Sequence, residues 1–320
     1  MKQKIVIILS VLLLLAAILL MALDFFSGND NSSNPYEYGL KDLRKVDDSL
    51  VCYDEAQQFS CGMEKPHGIS VDDSGRIYVA GKGSLLIFDH NGNLISENHL
   101  SGDAKCVHIF DKNIFLGMTD HVEVLDLEGK LTAKWETLNE KVYITSICAT
   151  NQSVFVADAG NKIVYHYDHL GELVNEIGGK DVAAGIPGFV IPSPYFDIAI
   201  GHGDELWVVN PGLHSFEQYT PDGRLNSSWK KTSMQLDGFS GCCNPGNIAI
   251  LQDGSFVTSE KGIERVKIHL PSGDFKCVVA APDSFDAGTT GLDLAVDSNR
   301  KIIILDPVRK QVRIFERMNN

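Results

Sequence analysis

The chain lacks the short signatures that announce a reaction. It contains no H-E-x-x-H pair, no G-x-S-x-G turn and no Ser-His-Asp arrangement. The sequence grounds for a zinc protease or a serine hydrolase are therefore missing. There is no C-x-x-C, so no dedicated oxidoreductase is indicated. The seven cysteines, at 52, 61, 106, 148, 242, 243 and 277, fit no zinc-module or iron–sulfur spacing. No H-x-H pair occurs among the ten histidines. Positive charge is scarce: 28 Lys and Arg stand against 42 Asp and Glu, a formal net charge of −14. That balance argues against nucleic acid and against an anionic membrane surface as partners.

One long apolar run is present, at Ile5–Leu23, with Ser10 its only polar residue. A helix of that length reaches about 28 Å, enough to cross a bilayer. Lys2 and Lys4 precede it and Asp24 follows. The positive-inside rule then places the N-terminus in the cytoplasm and exports the remainder. A cleaved signal peptide is the competing reading, but the run is long for one and no small-x-small site follows it cleanly. No cysteine lies near its end, so a lipoprotein site is absent. The expectation is a single-pass signal anchor over 1–26, spanning at 5–23. A flexible polar linker follows at 27–40. The rest of the chain would face the periplasm or the cell surface.

Beyond the linker one phrase recurs six times. A short apolar strand is followed by a turn, a second apolar strand, a small polar loop and a third strand that ends near Asp/Asn-Gly. The clearest copies are Ile69–Leu94 and Ile147–Val174. Second strands center on Val79, Leu116, Val156, Val208, Val257 and Ile304. A unit of this size is a small sheet that cannot bury its own faces, so the copies must pack on one another. The sixth copy stops after its third strand, near Glu316, which would leave an open edge. The segment Asp48–Phe59 precedes the first copy and is the natural donor of the missing strand. The expected fold is all-β: a six-bladed β-propeller over 41–318, closed by an N-terminal clasp and preceded by one transmembrane helix.

VFVADAGNKIVYHYDHLGELVNEIG and PHGISVDDSGRIYVAGKGSLLIFDHNGNL resemble NHL repeats. The resemblance is strong in blades 1 and 3 and weaker in blade 2 and in blades 4–6, which have long entry loops. It implies a six-bladed NHL or TolB-like propeller. It implies no single activity, because relatives include protein-binding modules, lactonase-like hydrolases and an amidating lyase. In such folds the innermost strands line a central channel, and their entry loops share the usual binding face with the loops between second and third strands.

The residues opening the inner strands are Gly68, Cys106, Ser146, Asp197, Asn247 and Asp293. Asp197, Asn247 and Asp293 could hold a divalent cation such as Ca²⁺. Lactonase-like relatives use a Glu/Asn/Asp set of that kind, although here the entry of blade 1 offers only Glu64. The alternative is that these groups cap strand ends or bind channel water. Loops on the same face add Asn210, His214, Glu260 and Arg265, and His67 is expected near them.

Two entry loops stand out. Gly185–Asp197 (GIPGFVIPSPYFD) carries three prolines and three aromatics. Its stiffness would let it present Phe189, Tyr195 and Phe196 at little ordering cost. Phe239–Pro245 (FSGCCNP) carries adjacent cysteines. Neighboring Cα atoms across a trans peptide lie about 3.8 Å apart, below the usual disulfide range, so a Cys242–Cys243 link would be strained and easily reduced. Either cysteine could instead bridge to Cys61, be buried and inert, or stay a free thiol. Cys106, Cys148 and Cys277 sit in apolar strand patterns and read as buried thiols.

The leading functional expectation is a membrane-anchored extracytoplasmic binding module. Its ligand-binding mouth lies at blades 4–6, with Tyr195, Asp197, Asn210, Cys242, Cys243, Asn247, Glu260, Arg265 and Asp293. No residue is assigned a catalytic role. The alternatives are a metal-dependent hydrolase or lyase using Asp197, Asn247 and Asp293, and a redox accessory protein using Cys242 and Cys243.

Overall fold

The computed structural model describes residues 43–318 except 137, 138 and 184, and before them only 5, 12–19 and 21. The chain divides into two units, Met1–Leu40 and Lys41–Asn320. In the first, the described residues are helical and exposed. Among the described residues no helix is long and apolar enough to cross a membrane. The anchor expected at 5–23 falls largely outside them, and the linker at 27–40 wholly so.

The second unit is a six-bladed β-propeller. The clasp strand β1 is Tyr53–Ser60. Blade 1 comprises β2 (Pro66–Val71), β3 (Ile77–Phe88) and β4 (Leu94–Asp103). The first half of β3 pairs with β2 and the second half with β4, so one long strand fills the second and third positions. Gly83 marks the change of partner with φ +79°. Blade 2 holds β5 (Cys106–Phe110), β6 (Asn113–Gly117), β7 (Val122–Asp126) and β8 (Leu131–Trp135). Blade 3 holds β9 (Ile144–Ala149), β10 (Val154–Asp158), β11 (Ile163–Tyr167) and β12 (Leu173–Ile177). Blade 4 holds β13 (Ile198–Ile200), β14 (Leu206–Asn210), β15 (Ser215–Tyr219) and β16 (Leu225–Lys230). Blade 5 holds β17 (Asn247–Ile250), β18 (Phe256–Ser259), β19 (Val266–His269) and β20 (Phe275–Ala280). Blade 6 holds β21 (Asp293–Val296), β22 (Ile302–Asp306) and β23 (Gln311–Arg317), with β1 as its outermost strand.

Each blade packs face to face on its neighbors. One core cluster lies at each of the six blade junctions. The second strands β10, β14 and β22 are buried along their whole length, because a blade covers each of their faces. They therefore read as unbroken apolar runs. Most outer strands alternate or lie open, as the pattern eeieieieii of β4 shows, whereas β20, beneath the clasp, is mostly buried. Blade 5 departs from the repeat alignment by one residue. Ile248 pairs with Thr258, not with the anchor Val257. A strand buried on both faces has no polar side to fix its register.

The clasp is antiparallel to β23, from Tyr53 opposite Arg317 to Ser60 opposite Gln311, with a bulge between Glu55 and Gln57. Arg313 grips Glu55 through two hydrogen bonds of 2.8 and 2.5 Å, gives a third to Ser284 O, and lies over the Phe285 ring. Phe59 packs on Phe88 of blade 1, ring centroids 5.1 Å apart. It also sits against Gly92, whose positive φ and closeness to that ring exclude a side chain.

Cys277 is not a free thiol. It is disulfide-bonded to Cys52, Cα atoms 6.0 Å apart, which lies within the usual range. The clasp is thereby stapled to the outer strand of blade 5. The expectation failed because Cys52 precedes the repeats, so pattern alone does not bring it near β20. Cys61, Cys106 and Cys148 are buried free thiols.

Replacing Cys52 with Ser should lower the unfolding free energy by about 2–4 kcal/mol, the usual worth of a native disulfide. Urea midpoints with and without reductant measure it. A parent protein insensitive to reductant would show that the staple does not form.

Candidate functional site

The inner strands β2, β5, β9, β13, β17 and β21 stand side by side around the axis. They enclose a channel of about 520 Å³ lined from every blade. Its entry carries His67, Lys105, Tyr143, Tyr195 and Thr290; its far end carries Val71, Ile109, Ile200, Ile250 and Val296. The apolar ring is the partly exposed end of the inner strands of blades 1, 2, 4, 5 and 6.

Between these ends lie the inner-strand openers, and they are tied from blade to blade. Asp197 Oδ2 accepts from Ile248 N at 2.6 Å. Asp293 Oδ2 accepts from Ile69 N at 2.8 Å. Ser146 Oγ accepts from Ile198 N at 3.4 Å. In all three, the opener of one blade caps the amide just past the opener of the next. Asn247 Nδ2 continues the ring by donating to Leu292 O at 2.8 Å. In blade 1 a side chain cannot fit: a Cβ on Gly68 would lie 2.8 Å from Cys106 Cα. Among the described residues no group of three or more His, Cys, Asp or Glu side chains is arranged to hold a metal ion.

Asp197 and Asp293 share this waist, and among the described residues neither has a Lys or Arg as an ion-pair partner. Burial raises Asp197 to about 6, against the pull of the Ser146 and amide hydrogen bonds. Burial and the charge of Asp197 raise Asp293 to about 7. His108, also in the channel wall, is pushed down to about 4 by burial, so it is neutral.

The mouth residues inferred from sequence fall into two groups. Tyr195, Asp197, Asn247 and Asp293 line the channel. Asn210, Glu260, Arg265 and the cysteine pair do not. Asn210 is buried; it accepts from Val190 N and donates to Gly188 O and Glu217, pinning the proline-rich loop. Glu260 pairs with Arg265 at 2.6 Å and with Lys267 at 3.3 Å, all three buried. Lys267 also donates to Leu236 O and Gly238 O and lies over the Phe239 ring. This network holds the entry loop of blade 5, which explains why its charges face inward. Burial lowers Lys267 to about 8.

Phe189 and Phe196 are also buried, their rings in tilted contact with each other and Phe189 edge-on to Tyr219. The proline-rich loop thus packs into the junction of blades 3 and 4, and of its three aromatics only Tyr195 lines the channel. His214 lies off the channel, while His67 lines it with Nε2 3.1 Å from Asp103. Lys105, Tyr143 and Lys267 were missed from the sequence. Lys105 and Tyr143 each sit just before an inner strand; Lys267 interrupts the apolar strand VKIHL.

This architecture places the chain among β-propellers with six blades. Residues 51–163, less than half of the chain, match the model of the IP5P C-F beta-propeller family. No curated protein sequence matches. Among solved structures, a streptogramin B lyase is similar at 11% identity, covering 82% of this chain and 97% of the lyase, with a TM-score of 0.57. The catalytically inactive virginiamycin B lyase from Staphylococcus aureus with quinupristin is similar at 12%, covering 82% and 99%, TM-score 0.59. The WD40 propeller domain of Doa1 is similar at 14%, covering 79% of each, TM-score 0.54. At these identities the likeness is one of fold.

The carboxyl pair gives a pH signature. Both groups bind protons more tightly folded than unfolded. Their contribution is full below the ordinary value of 3.8 and is lost as pH rises through about 6 and 7. Asn already fills the equivalent place in blade 5, so Asp293→Asn should fit. It should be more stable than the parent at pH 8, by on the order of 1–3 kcal/mol, with the advantage gone near pH 4. Equal stabilities at pH 8 would show that the waist tolerates both charges.

Proposed function

We propose that this chain is a membrane-anchored, extracytoplasmic NHL-type propeller whose mouth binds a small molecule or a peptide end. The observation that carries the reading is the open channel of about 520 Å³, polar at its entry and aliphatic at its far end. Its volume falls in the range of ligand pockets, about 300–1,000 Å³. Lys105 faces the Tyr143 ring at 5.9 Å and Lys261 faces the Tyr195 ring at 4.8 Å. These two cation–aromatic pairs suit a ligand with planar or anionic groups.

Export is supported from two directions. Lys2 and Lys4 flank the apolar run Ile5–Leu23, and the Cys52–Cys277 disulfide suits an oxidizing compartment. The NHL kind rests on the repeat pattern of blades 1 and 3.

A metal-assisted lyase or hydrolase is the second reading. It is favored by Asp197, Asn247 and Asp293 meeting at one waist and by the fold shared with streptogramin B lyase. In this reading the three residues would hold a divalent cation such as Ca²⁺, which would polarize a carbonyl or activate water.

A thermal-shift screen of the full-length protein tests the first reading, since a ligand that binds only the folded state raises its midpoint. Tyr195→Ala and Thr290→Trp should abolish a genuine shift, while Leu173→Ala on an exposed outer strand should keep it. A ligand insensitive to both mouth changes would overturn the site. A shift with Ca²⁺ that Asp197→Ala removes would favor the metal reading. Topology has its own test: protease added to intact spheroplasts should digest the propeller, and full protection would place it in the cytoplasm.

A further inference from the structure

The cysteine pair lies beside the mouth and is wired to it. Cys242 is exposed and Cys243 is 3% exposed, with their sulfurs 3.1 Å apart. Ser193 Oγ donates to Cys243 Sγ at 2.8 Å. Ser193 lies two residues before Tyr195, whose ring carries the Lys261 ammonium. Asn244, next to Cys243, accepts from Lys261 N at 2.7 Å and donates to Lys261 O at 3.0 Å. On the other side His214 Nε2 donates to Gly241 O at 2.6 Å. The loop is thus anchored at both ends, and each wall of the Tyr195–Lys261 pair is hydrogen-bonded to it.

We propose that Cys242 and Cys243 form a thiol–disulfide exchange site that regulates the ligand mouth; the regulatory part rests on the mouth-binding reading above. The co-reactant is a small external disulfide. The Cys242 thiolate attacks one of its sulfurs, forming a mixed disulfide and expelling one thiolate. Cys243 then loses its proton to solvent and attacks Cys242 Sγ, expelling the second thiolate. The external disulfide is reduced to two thiols and the protein dithiol is oxidized to the vicinal disulfide. Exposure makes Cys242 the first nucleophile, and burial, which pushes the Cys243 thiol up, keeps that residue for the resolving step. Closure must draw the sulfurs from 3.1 Å to about 2.05 Å. At the fixed Cα spacing of adjacent residues, about 3.8 Å, the bond closes a strained eight-membered ring, so the torsions around the peptide between them must change. The distortion reaches Ser193 through Cys243 and Lys261 through Asn244. Cys61, Cys106 and Cys148 are buried in the core and are not exchange partners.

The test uses the full-length protein in detergent and a glutathione redox buffer. Oxidized glutathione should remove two free thiols, and peptide mapping should find both on one peptide as an internal link. Cys243→Ser should trap one glutathione on Cys242, whereas Cys242→Ser should take up none. Amide exchange in 190–196 and 260–264 should change several-fold between the two redox states, and Ser193→Ala should shrink the change in 190–196. No adduct on the Cys243→Ser variant, or linkage of Cys242 to another cysteine, would overturn the exchange site. A vicinal link that leaves exchange unchanged in both segments would overturn the regulation. None of these readouts needs a ligand, so failure here and failure of the mouth as a binding site are separately visible.

Discussion

A ring of sheets has no complete interior until its ends meet. Every blade here buries faces of the blades beside it, so the junction of blades 6 and 1 must be as well packed as the other five. The clasp makes it so. Strand β1 supplies the outer edge of blade 6 and lays Phe59 against blade 1, while its start is held to blade 5 by Cys52–Cys277. Arg313, 3% exposed on its side chain, is committed to the same seam through Glu55. Arg313 is buried while Glu55 reaches it from the exposed clasp strand, so blade 6 depends on a segment far away in sequence.

The same closure leaves an axis that side chains cannot fill, and the waist ring manages it. At the opening of the inner strands of blades 1, 4 and 5 the amides of Ile69, Ile198 and Ile248 bond to side chains, and a buried unpaired amide is costly. Ser146, Asp197 and Asp293 supply acceptors from the blade before. The two carboxyls that do so repel each other as anions, a tension that the caps alone do not relieve.

The propeller, its blade count and the clasp were legible because each follows from a repeat and from one missing strand. The inner-strand openers were legible for the same reason. What stayed hidden depended on packing between distant segments. Cys52 carries no pattern of its own, so its bond to Cys277 was invisible. Phe189 and Phe196 looked displayed in a proline-rich loop, yet apolar rings of that size are buried wherever the blade offers room. Thr258 replaced Val257 as the register point because a strand covered on both faces carries no alternation.

Blades 4 and 5 hold most of the unusual sequence, and much of it serves folding. Their long entry loops bring carbonyls into the protein where no strand can satisfy them. Lys267 and His269 reach back to Leu236, Asp237 and Gly238, and Asn210 serves the loop around Gly188 and Val190. Glu260 and Arg265 then balance the charge that Lys267 brings inside. Once these debts are settled, a short remainder is left: Tyr195 with Lys261, and the thiols beside them. Among the described residues, no loop carbonyl bonds to their side chains and no core cluster contains Tyr195, Lys261 or Cys242. Side chains that folding does not explain, gathered at the rim of an open channel, are where selection for binding would act.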